Sequence, residues 1–270
     1  MQQYAEDAVR SHIASLQDDF FKHWEGYTNA PFPKDFDNDQ INKILEQAMK
    51  RSDRYKKLKQ LSASKKEIYS AFRTKTQMRV FTWKGEKDTI MTPLDSMKYY
   101  KSFFRPGMMS MDPTNGYIKA WVGGMNYRHF QYDMVKKGKR QIGSTFKPFV
   151  YAAAIDQLKL SPCDTFPDSQ FCIEKNKFGN VEQWCPKNSG DKYGRTRTLK
   201  NALANSVNTV TARLMDRIGP RTVVKLAKDL GIEQRILPVP SIALGTPDLS
   251  VYEMVAAYST FANKGVYTQP

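Results

Sequence analysis

The sequence predicts an α+β fold with an antiparallel sheet, and two observations support this. The stretches "MRVFTW" and "GMMSMDPTNGYIKAWVGG", between residues 78 and 124, alternate with the two-residue period of β-strands, the second around a turn at residues 112–116. After residue 143 the apolar positions recur with helical spacing and without strict alternation of strands and helices. Strands followed by a run of helices favour an antiparallel sheet over a doubly wound parallel one.

The helical segments organise the rest of the chain. Apolar spacing predicts a helix from residue 1 to about 25 and a second helical stretch from Asn38 to Phe72 that is rich in Lys and Arg. Because the pattern changes from helical to β-type near residue 75, we expect a helical, basic connector at residues 1–75 and a second domain at residues 76–270. The later helices are predicted at Ser144–Leu158, Thr198–Ile218, Arg221–Leu230 and Ser250–Asn263.

Composition and charge narrow the function classes. The 270 residues are 40% hydrophobic, and 42 Lys and Arg against 27 Asp and Glu give a net charge of +15, which favours polyanionic partners. No helix-turn-helix, zinc-finger or RNP-like pattern is present, so we do not expect nucleic acid as the partner. No window approaches ~18 consecutive apolar residues, and the N-terminus lacks a signal-peptide pattern. Any membrane anchor is therefore expected outside this chain.

The cysteines argue against a metal site. Cys163, Cys172 and Cys185 contain no C-x-x-C pair and lie far in sequence from the three histidines, so we predict neither metal nor cofactor. Cys172 and Cys185 flank a polar segment with a Phe-Gly-Asn turn, which is compatible with a hairpin disulfide in an oxidising compartment. Three unpaired thiols are the alternative.

One lysine stands out from the surface charges. Ser-x-x-Lys occurs three times, but only Ser144 and Lys147, in "GSTFKPFVYAAAI", open an apolar helix. Burial and the positive end of the helix would lower the pKa of Lys147, so that its neutral amine could activate the Ser144 hydroxyl as a nucleophile. Pro148 predicts an irregular first turn. An ordinary helix-capping role for Ser144 is the alternative.

A second pair of polar residues could complete such a site. Ser206 and Asn208, in "NALANSVNTVTARL", form the only Ser-x-Asn sequence and interrupt an apolar helical pattern. A turn there would let Ser206 pass a proton between Lys147 and an amine, and let Asn208 hold a substrate amide and contact Lys147. The alternative is a polar break between two helices.

Three stretches resemble, in order and spacing, the transpeptidase domain of the bifunctional (class A) penicillin-binding proteins. They are "RQIGSTFKPFVYAAAID", "NALANSVNTVTARL" and "PSIALGTPDLSVYEMVAAYSTFANKGVY". The resemblance implies a β-lactamase/transpeptidase-like fold, with an antiparallel sheet between helices. It also implies Ser144 as nucleophile, Lys147 as base, Ser206 as proton relay and Asn208 as a substrate-binding residue.

The resemblance also implies a reaction and a setting. The family cross-links peptidoglycan stem peptides ending in D-Ala-D-Ala through a serine acyl-enzyme, and β-lactams acylate the same serine. The expected location is the extracytoplasmic, periplasmic face of the bacterial inner membrane. A glycosyltransferase domain in the parent chain is the expected neighbour, and membrane association is expected only through parts outside this chain.

The sequence departs from the family in one respect. The third family motif, Lys-Thr/Ser-Gly, does not occur, so we expect a fragment truncated before the strand that carries it. That strand helps to form the oxyanion hole, and the fragment alone is expected to have little activity. A D,D-carboxypeptidase of the same family and a non-catalytic cell-wall scaffold are the alternative functions. A β-lactamase is disfavoured, because no Glu-x-x-Leu-Asn segment is present.

Overall fold

The computed structural model describes all 270 residues, which form two compact units. The first unit comprises residues 1–2, 107–123 and 132–270, and the second comprises residues 3–106 and 124–131. The boundary predicted near residue 75 lies where a helix meets a strand within the second unit. None of the helices combines the length and the apolar character that crossing a membrane requires.

The second unit contains five helices and one hairpin. The elements are α1 (Gln2–His23), α2 (Asn38–Arg51), α3 (Asp53–Gln60), α4 (Lys65–Arg73), β1 (Thr76–Thr82), β2 (Gly85–Met91) and α5 (Pro93–Lys101). Met49, Ile68 and Phe72 form one buried cluster, and the rings of Phe81, Phe103 and Phe130 form another. The predicted N-terminal helix is confirmed.

The long helix predicted from Asn38 to Phe72 is instead three helices. The Ser52 hydroxyl accepts from the Tyr55 N–H and donates to the Met49 carbonyl, so that one residue ends α2 and begins α3. Ser64 and Glu67 then form a reciprocal capping box that starts α4. Serine hydroxyls that bond to nearby backbone compete with the helical ladder, and apolar spacing does not register this competition.

The first unit begins with the predicted hairpin. Strands β3 (Met108–Met111) and β4 (Ile118–Val122) pair antiparallel around the Asp112–Tyr117 turn. The remaining elements are β5 (Arg140–Gln141), a 3₁₀ turn (Gly143–Phe146), α6 (Lys147–Leu158), β6 (Thr165–Pro167), a second 3₁₀ turn (Ser189–Asp191), β7 (Thr196–Thr198), α7 (Leu199–Ala204), α8 (Asn208–Ile218), α9 (Pro220–Asp229), a third 3₁₀ turn (Pro240–Leu244), β8 (Asp248–Leu249) and α10 (Val251–Ala262).

The core of this unit surrounds α6. Phe149, Val150 and Ala154 of that helix are fully buried, and they belong to one cluster with Val210 and Leu214 of α8. The α6 helix also packs against α7, α9 and the 240–244 turn. A helix that is apolar on nearly all sides is a buried one. Its first residue is consequently fixed by packing from several directions.

The strand pairing differs in extent from the prediction. All pairs are antiparallel and the α+β class is confirmed, but the strands form four separate two-stranded sheets, β1–β2, β3–β4, β5–β8 and β6–β7. The β1–β2 hairpin belongs to the second unit. The strands β5 to β8 contain only two or three residues each, too few to give the periodic signal from which a sheet can be predicted.

A disulfide joins Cys172 and Cys185 across a short hairpin, as one of the two sequence alternatives anticipated. Ile173 and Trp184 form a backbone bridge directly inside it. Cys163 is a free, exposed thiol. The hairpin and its disulfide therefore form one local crosslinked loop in the first unit.

Replacing both Cys172 and Cys185 by Ser should destabilise the protein by about 3 kcal/mol, because the closed loop of about 14 residues no longer restricts the unfolded chain. Denaturant unfolding under non-reducing conditions measures the change. The matched control is Cys163→Ser, which removes an exposed thiol and should leave the midpoint unchanged. Equal midpoints for the double variant and the parent would contradict the crosslink.

Candidate active site

Lys147 lies at the junction of the 3₁₀ turn and α6. Pro148, at the start of the α-helix, cannot donate a backbone hydrogen bond, and the chain enters the helix through a tighter 3₁₀ turn at Gly143–Phe146. The irregular first turn predicted from Pro148 is confirmed. Residues three apart nearly eclipse each other in a 3₁₀ turn, so Ser144 and Lys147 share one side of it.

The Lys147 side chain is buried and fully hydrogen-bonded. It is 1% exposed, and its Nζ lies 2.5 Å from the Ser206 carbonyl oxygen, 2.9 Å from Ser206 Oγ and 2.5 Å from Asn208 Oδ1. The structure thus brings together three of the four residues singled out in the sequence. All of the hydrogen-bond partners are uncharged, and Lys147 forms no ion pair.

This environment favours a neutral amine. Burial lowers the pKa of Lys147 to about 8. About one side chain in ten is then neutral at pH 7, against about one in 2,500 for a free lysine. An amine has two protons and one lone pair, and it can donate to the two carbonyl oxygens while accepting from the Ser206 hydroxyl. The three contacts therefore fit both protonation states.

Ser206 reaches Lys147 through an unusual backbone conformation. It lies between α7 and α8 with a φ of 53°, in the left-handed region that costs a non-glycine residue about 1–2 kcal/mol. Backbone hydrogen bonds from Ser206 to Leu203 and from Val207 to Ala202 close the turn. The break predicted in the helical pattern is confirmed. This conformation directs both the carbonyl and the hydroxyl of one residue to Lys147 Nζ.

Ser144 is placed differently from the other three residues. It is exposed, and its hydroxyl makes no hydrogen bond, while its carbonyl oxygen accepts from the Lys147 backbone N–H. As the second residue of the turn, Ser144 has a backbone N–H without a partner inside the helix. An exposed hydroxyl in the turn that leads into a buried amine can attack an acyl group, and the free N–H of the same residue can stabilise the resulting oxyanion.

Contacts from distant residues fix the Ser144 turn. The Gly143 N–H donates to the Gly245 carbonyl at 2.9 Å, and the Tyr258 hydroxyl donates to the Thr145 carbonyl at 2.6 Å. A Cβ on Gly245 would overlap the backbone carbonyl of Gly143, and Gly245 also has a φ of 74°. Gly245 is therefore required both by its own conformation and by the close approach of the turn.

Asn208 is held by residues that the sequence analysis did not identify. Its backbone N–H donates to Asn188 Oδ1 at 2.9 Å, and its side-chain Nδ2 donates to the Lys187 carbonyl at 2.7 Å. Val207 offers no capping side chain, so Asn188 takes the place of a local cap at the start of α8. Gly245 lies in the third stretch that resembles the family, but nothing in that stretch marks its structural role, and Asn188 lies in none of the three stretches.

Gly245→Ala should destabilise the protein by at least about 2 kcal/mol, because it adds overlap with Gly143 to the left-handed strain. Gly265→Ala is the matched control, since Gly265 also has a positive φ but a Cβ there meets nothing within 4 Å. Denaturant unfolding of both variants separates strain from overlap. Equal losses of stability in the two variants would show that the overlap between position 245 and Gly143 adds nothing to the free energy of unfolding.

Two family models match this chain. The family model described as "Penicillin-binding protein middle domain" matches residues 27–104, and that described as "Penicillin binding protein transpeptidase domain" matches residues 106–270. Penicillin-binding protein 1A of Aquifex aeolicus is 34% identical over 165 residues, which is 60% of this chain and 22% of that relative.

Solved structures give the same result. The crystal structure of penicillin-binding protein 1A from Haemophilus influenzae is 30% identical, with a TM-score of 0.54, over 58% of this chain and 23% of that one. The PonA1 protein from Mycobacterium tuberculosis in complex with penicillin V shares the fold at 22% identity and a TM-score of 0.53, over 85% of this chain and 60% of that one.

The share of the chain that the family models cover is large enough to assign the family. The matched part of the chain spans about a fifth of the length of the curated relatives. The junction of the two family matches, at residues 104–106, falls at the division between the compact units. The transpeptidase match covers more than half of the chain and includes all four candidate residues. This chain therefore belongs to the penicillin-binding protein family, through a transpeptidase-domain sequence at residues 106–270.

Proposed function

We propose that this chain carries the acyl-transfer site of a peptidoglycan D,D-transpeptidase, which cross-links stem peptides through a serine acyl-enzyme. The observation that supports this most is the buried Lys147 amine, with a pKa lowered to about 8, one turn from the exposed Ser144 hydroxyl. A serine needs an adjacent base to become a nucleophile, and a base with a pKa near the working pH is the most effective.

The four residues have distinct roles in the proposed reaction. Ser144 Oγ attacks the carbonyl of the penultimate D-Ala while its proton passes to Lys147. The tetrahedral intermediate collapses, the peptide C–N bond breaks, and the departing D-Ala amine takes a proton from the Ser206 hydroxyl, which Lys147 re-protonates. Asn208 holds the Lys147 amine through Oδ1 at 2.5 Å, and binding of a substrate amide is its second proposed role.

An amine from a neighbouring stem peptide completes the cycle. It attacks the acyl-enzyme carbonyl, gives up a proton through Ser206 to Lys147, and displaces Ser144 Oγ, which recovers its proton. No net charge or proton remains on the protein. Water in place of the amine would give D,D-carboxypeptidase activity from the same intermediate, so the products distinguish the two: a cross-linked dimer or a shortened monomer.

The proposal also covers the ligands, the cellular location and the neighbouring domain of the protein. Since the matched segment covers only about a fifth of the length of the curated relatives, the natural full-length protein is the object to test. β-Lactams are proposed as acylating ligands, which the penicillin V complex of PonA1 supports. An extracytoplasmic location, where peptidoglycan lies, and an accompanying glycosyltransferase domain complete the proposal. The disulfide at Cys172–Cys185 is compatible with that oxidising location.

Ser144→Ala should abolish covalent labelling of the full-length protein by a fluorescent penicillin, because no other residue would attack the lactam carbonyl. Labelling is read on a denaturing gel. Ser189→Ala is the matched control, since Ser189 begins another Ser-x-x-Lys sequence, in an exposed loop, and it should label as the parent does. Undiminished labelling of the Ser144 variant would refute the assignment.

The acylation rate should rise with pH through an apparent pKa of about 8. Only the neutral Lys147 amine accepts the Ser144 proton, and burial sets the pKa of Lys147 to about 8. The second-order rate constant should therefore increase about tenfold per pH unit below pH 7 and level off above pH 9. Stopped-flow acylation with a chromogenic cephalosporin measures it. A profile that is flat from pH 6 to pH 9 would exclude Lys147 as the base.

A further inference from the structure

One fully buried carboxylate in the first unit has no part in the proposed reaction. Asp168 directly follows β6 and is 0% exposed. Its Oδ1 accepts from Asn188 Nδ2 at 2.7 Å and from the Thr209 hydroxyl at 2.8 Å, and its Oδ2 accepts from the Gly194 N–H at 3.0 Å and from Arg197 Nε at 2.5 Å. A buried charge this completely paired is costly to build and needs an explanation.

The hydrogen bonds of Asp168 lead to the candidate active site. Asn188 donates to Asp168, and its own Oδ1 accepts from the backbone N–H groups of Asn208 and Thr209, at 2.9 and 3.2 Å. Thr209 also binds Asp168 through its hydroxyl. Asp168 thus holds the first turn of α8 by two routes, one direct and one through Asn188.

The orientation of the Asn208 side chain depends on these hydrogen bonds to the first turn of α8. Its Nδ2 donates to the Lys187 carbonyl and its Oδ1 accepts from Lys147 Nζ. Lys187 and Asn188 are adjacent in the chain, so the segment that fixes the Asn208 backbone also fixes its amide. With the amide reversed, an NH₂ group would face the Lys147 amine and an oxygen would face a carbonyl oxygen. Displacing the 187–188 segment therefore frees Asn208 to turn away from Lys147.

We propose that Asp168 and Asn188 are positioning residues that fix Asn208 against Lys147 and so hold the amine in place for acylation. This proposal rests on the proposed acyl-transfer function. The five residues form one continuous hydrogen-bonded path, listed from the outside inward as Arg197, Asp168, Asn188, Asn208 and Lys147. Neither Asp168 nor Asn188 contacts Lys147, so both act through Asn208.

The charge of Asp168 supports this role. Burial alone would raise the pKa of Asp168, but the hydrogen bonds from Arg197, Thr209, Asn188 and the Gly194 N–H outweigh it and hold the pKa below its ordinary value. The carboxylate therefore stays ionised and accepts from all four donors. Arg197 is the one charged side chain bonded to it, and Arg197 also donates to Asn201 Oδ1 of α7. One carboxylate thus connects both helices that flank Ser206.

Asp168→Asn tests the proposal, because it keeps the shape but presents an amide where every partner is a donor. In the full-length protein, acylation by penicillin is measured per active site, after titration of the sites that label. The second-order rate constant should fall at least about tenfold, as expected when a catalytic group is misplaced. Asp216→Asn is the matched control: Asp216 lies in α8 and pairs with Lys177 at 2.6 Å, away from this path, and its rate should be unchanged.

The pH profile separates positioning from general loss of stability. The ammonium form of Lys147 depends more on the Asn208 acceptor than the neutral amine does, so losing that acceptor should lower the pKa of Lys147. The acid limb of the acylation profile should then move to lower pH in Asp168→Asn, and Asn208→Ala should move it in the same direction. A variant that is only less stable would have fewer active sites but the parental rate and profile per site.

A reciprocal exchange gives a rescue test. Asn188→Asp alone places two carboxylates side by side and should also slow acylation. Combined with Asp168→Asn, it restores a donor–acceptor pair between positions 168 and 188 with the polarity reversed, and it keeps an acceptor for the Asn208 N–H. Asn188 Nδ2 also donates to the Lys192 carbonyl at 3.0 Å, and an Asp at position 188 cannot make this bond. The double variant should therefore recover only part of the rate that each single variant loses. Additive losses in the double variant would overturn the proposal.

The positioning role of Asp168 and the acyl-transfer function of Ser144 can be refuted independently of each other. If the Asp168→Asn variant labels at the parental rate with the parental pH profile, the positioning role is wrong while the proposed function stands. If Ser144→Ala labels undiminished, the proposed function itself is wrong, whatever the Asp168 variants do.

Discussion

The burial of one lysine among uncharged hydrogen-bond partners is the constraint on which the site depends. Lys147 is 1% exposed, and no carboxylate neutralises it. An ion pair would have held the ammonium and raised the pKa, whereas burial with carbonyl and hydroxyl partners lowers the pKa to about 8. The fold thereby keeps the pKa of this base near neutral pH, whereas a solvated lysine would be almost fully protonated there.

The rest of the first unit explains how such a lysine is tolerated. It begins the apolar helix α6, whose neighbours fix it on several sides, and the chain enters α6 through a 3₁₀ turn that puts Ser144 on the same side. Ser206 occupies a left-handed conformation that supplies two of the three oxygens around Nζ. Strain of this kind persists where the surrounding structure imposes it, and such strain concentrates at functional sites.

Sequence motifs predicted the groups at the centre of the site but not those that position them. Ser144, Lys147, Ser206 and Asn208 belong to two short patterns, and the structure brings Lys147, Ser206 and Asn208 into contact. Asp168, Asn188 and Gly245 were missed, because they act through contacts with residues distant in sequence, and such contacts leave no local pattern. The irregular turn at Pro148 was predictable, since proline acts on its own neighbours.

The fold shows the same division between local and long-range information. The β3–β4 hairpin and the later helices follow from local periodicity and turn residues. The pairing of β5 with β8 joins residues 140–141 to residues 248–249, and two-residue strands carry no period from which this could be read. The break at Ser52 was missed because a serine inside a polar helix looks the same whether it points outward or caps a new helix.

The lowered pKa of the buried Lys147 amine can be measured directly. Lysine side chains labelled with ¹³C at Cε are titrated by NMR in the folded protein, and the Lys147 resonance is assigned by its loss in Lys147→Met. We expect a midpoint near pH 8 for that one resonance. A midpoint near 10.5, as for a solvated lysine, would contradict it.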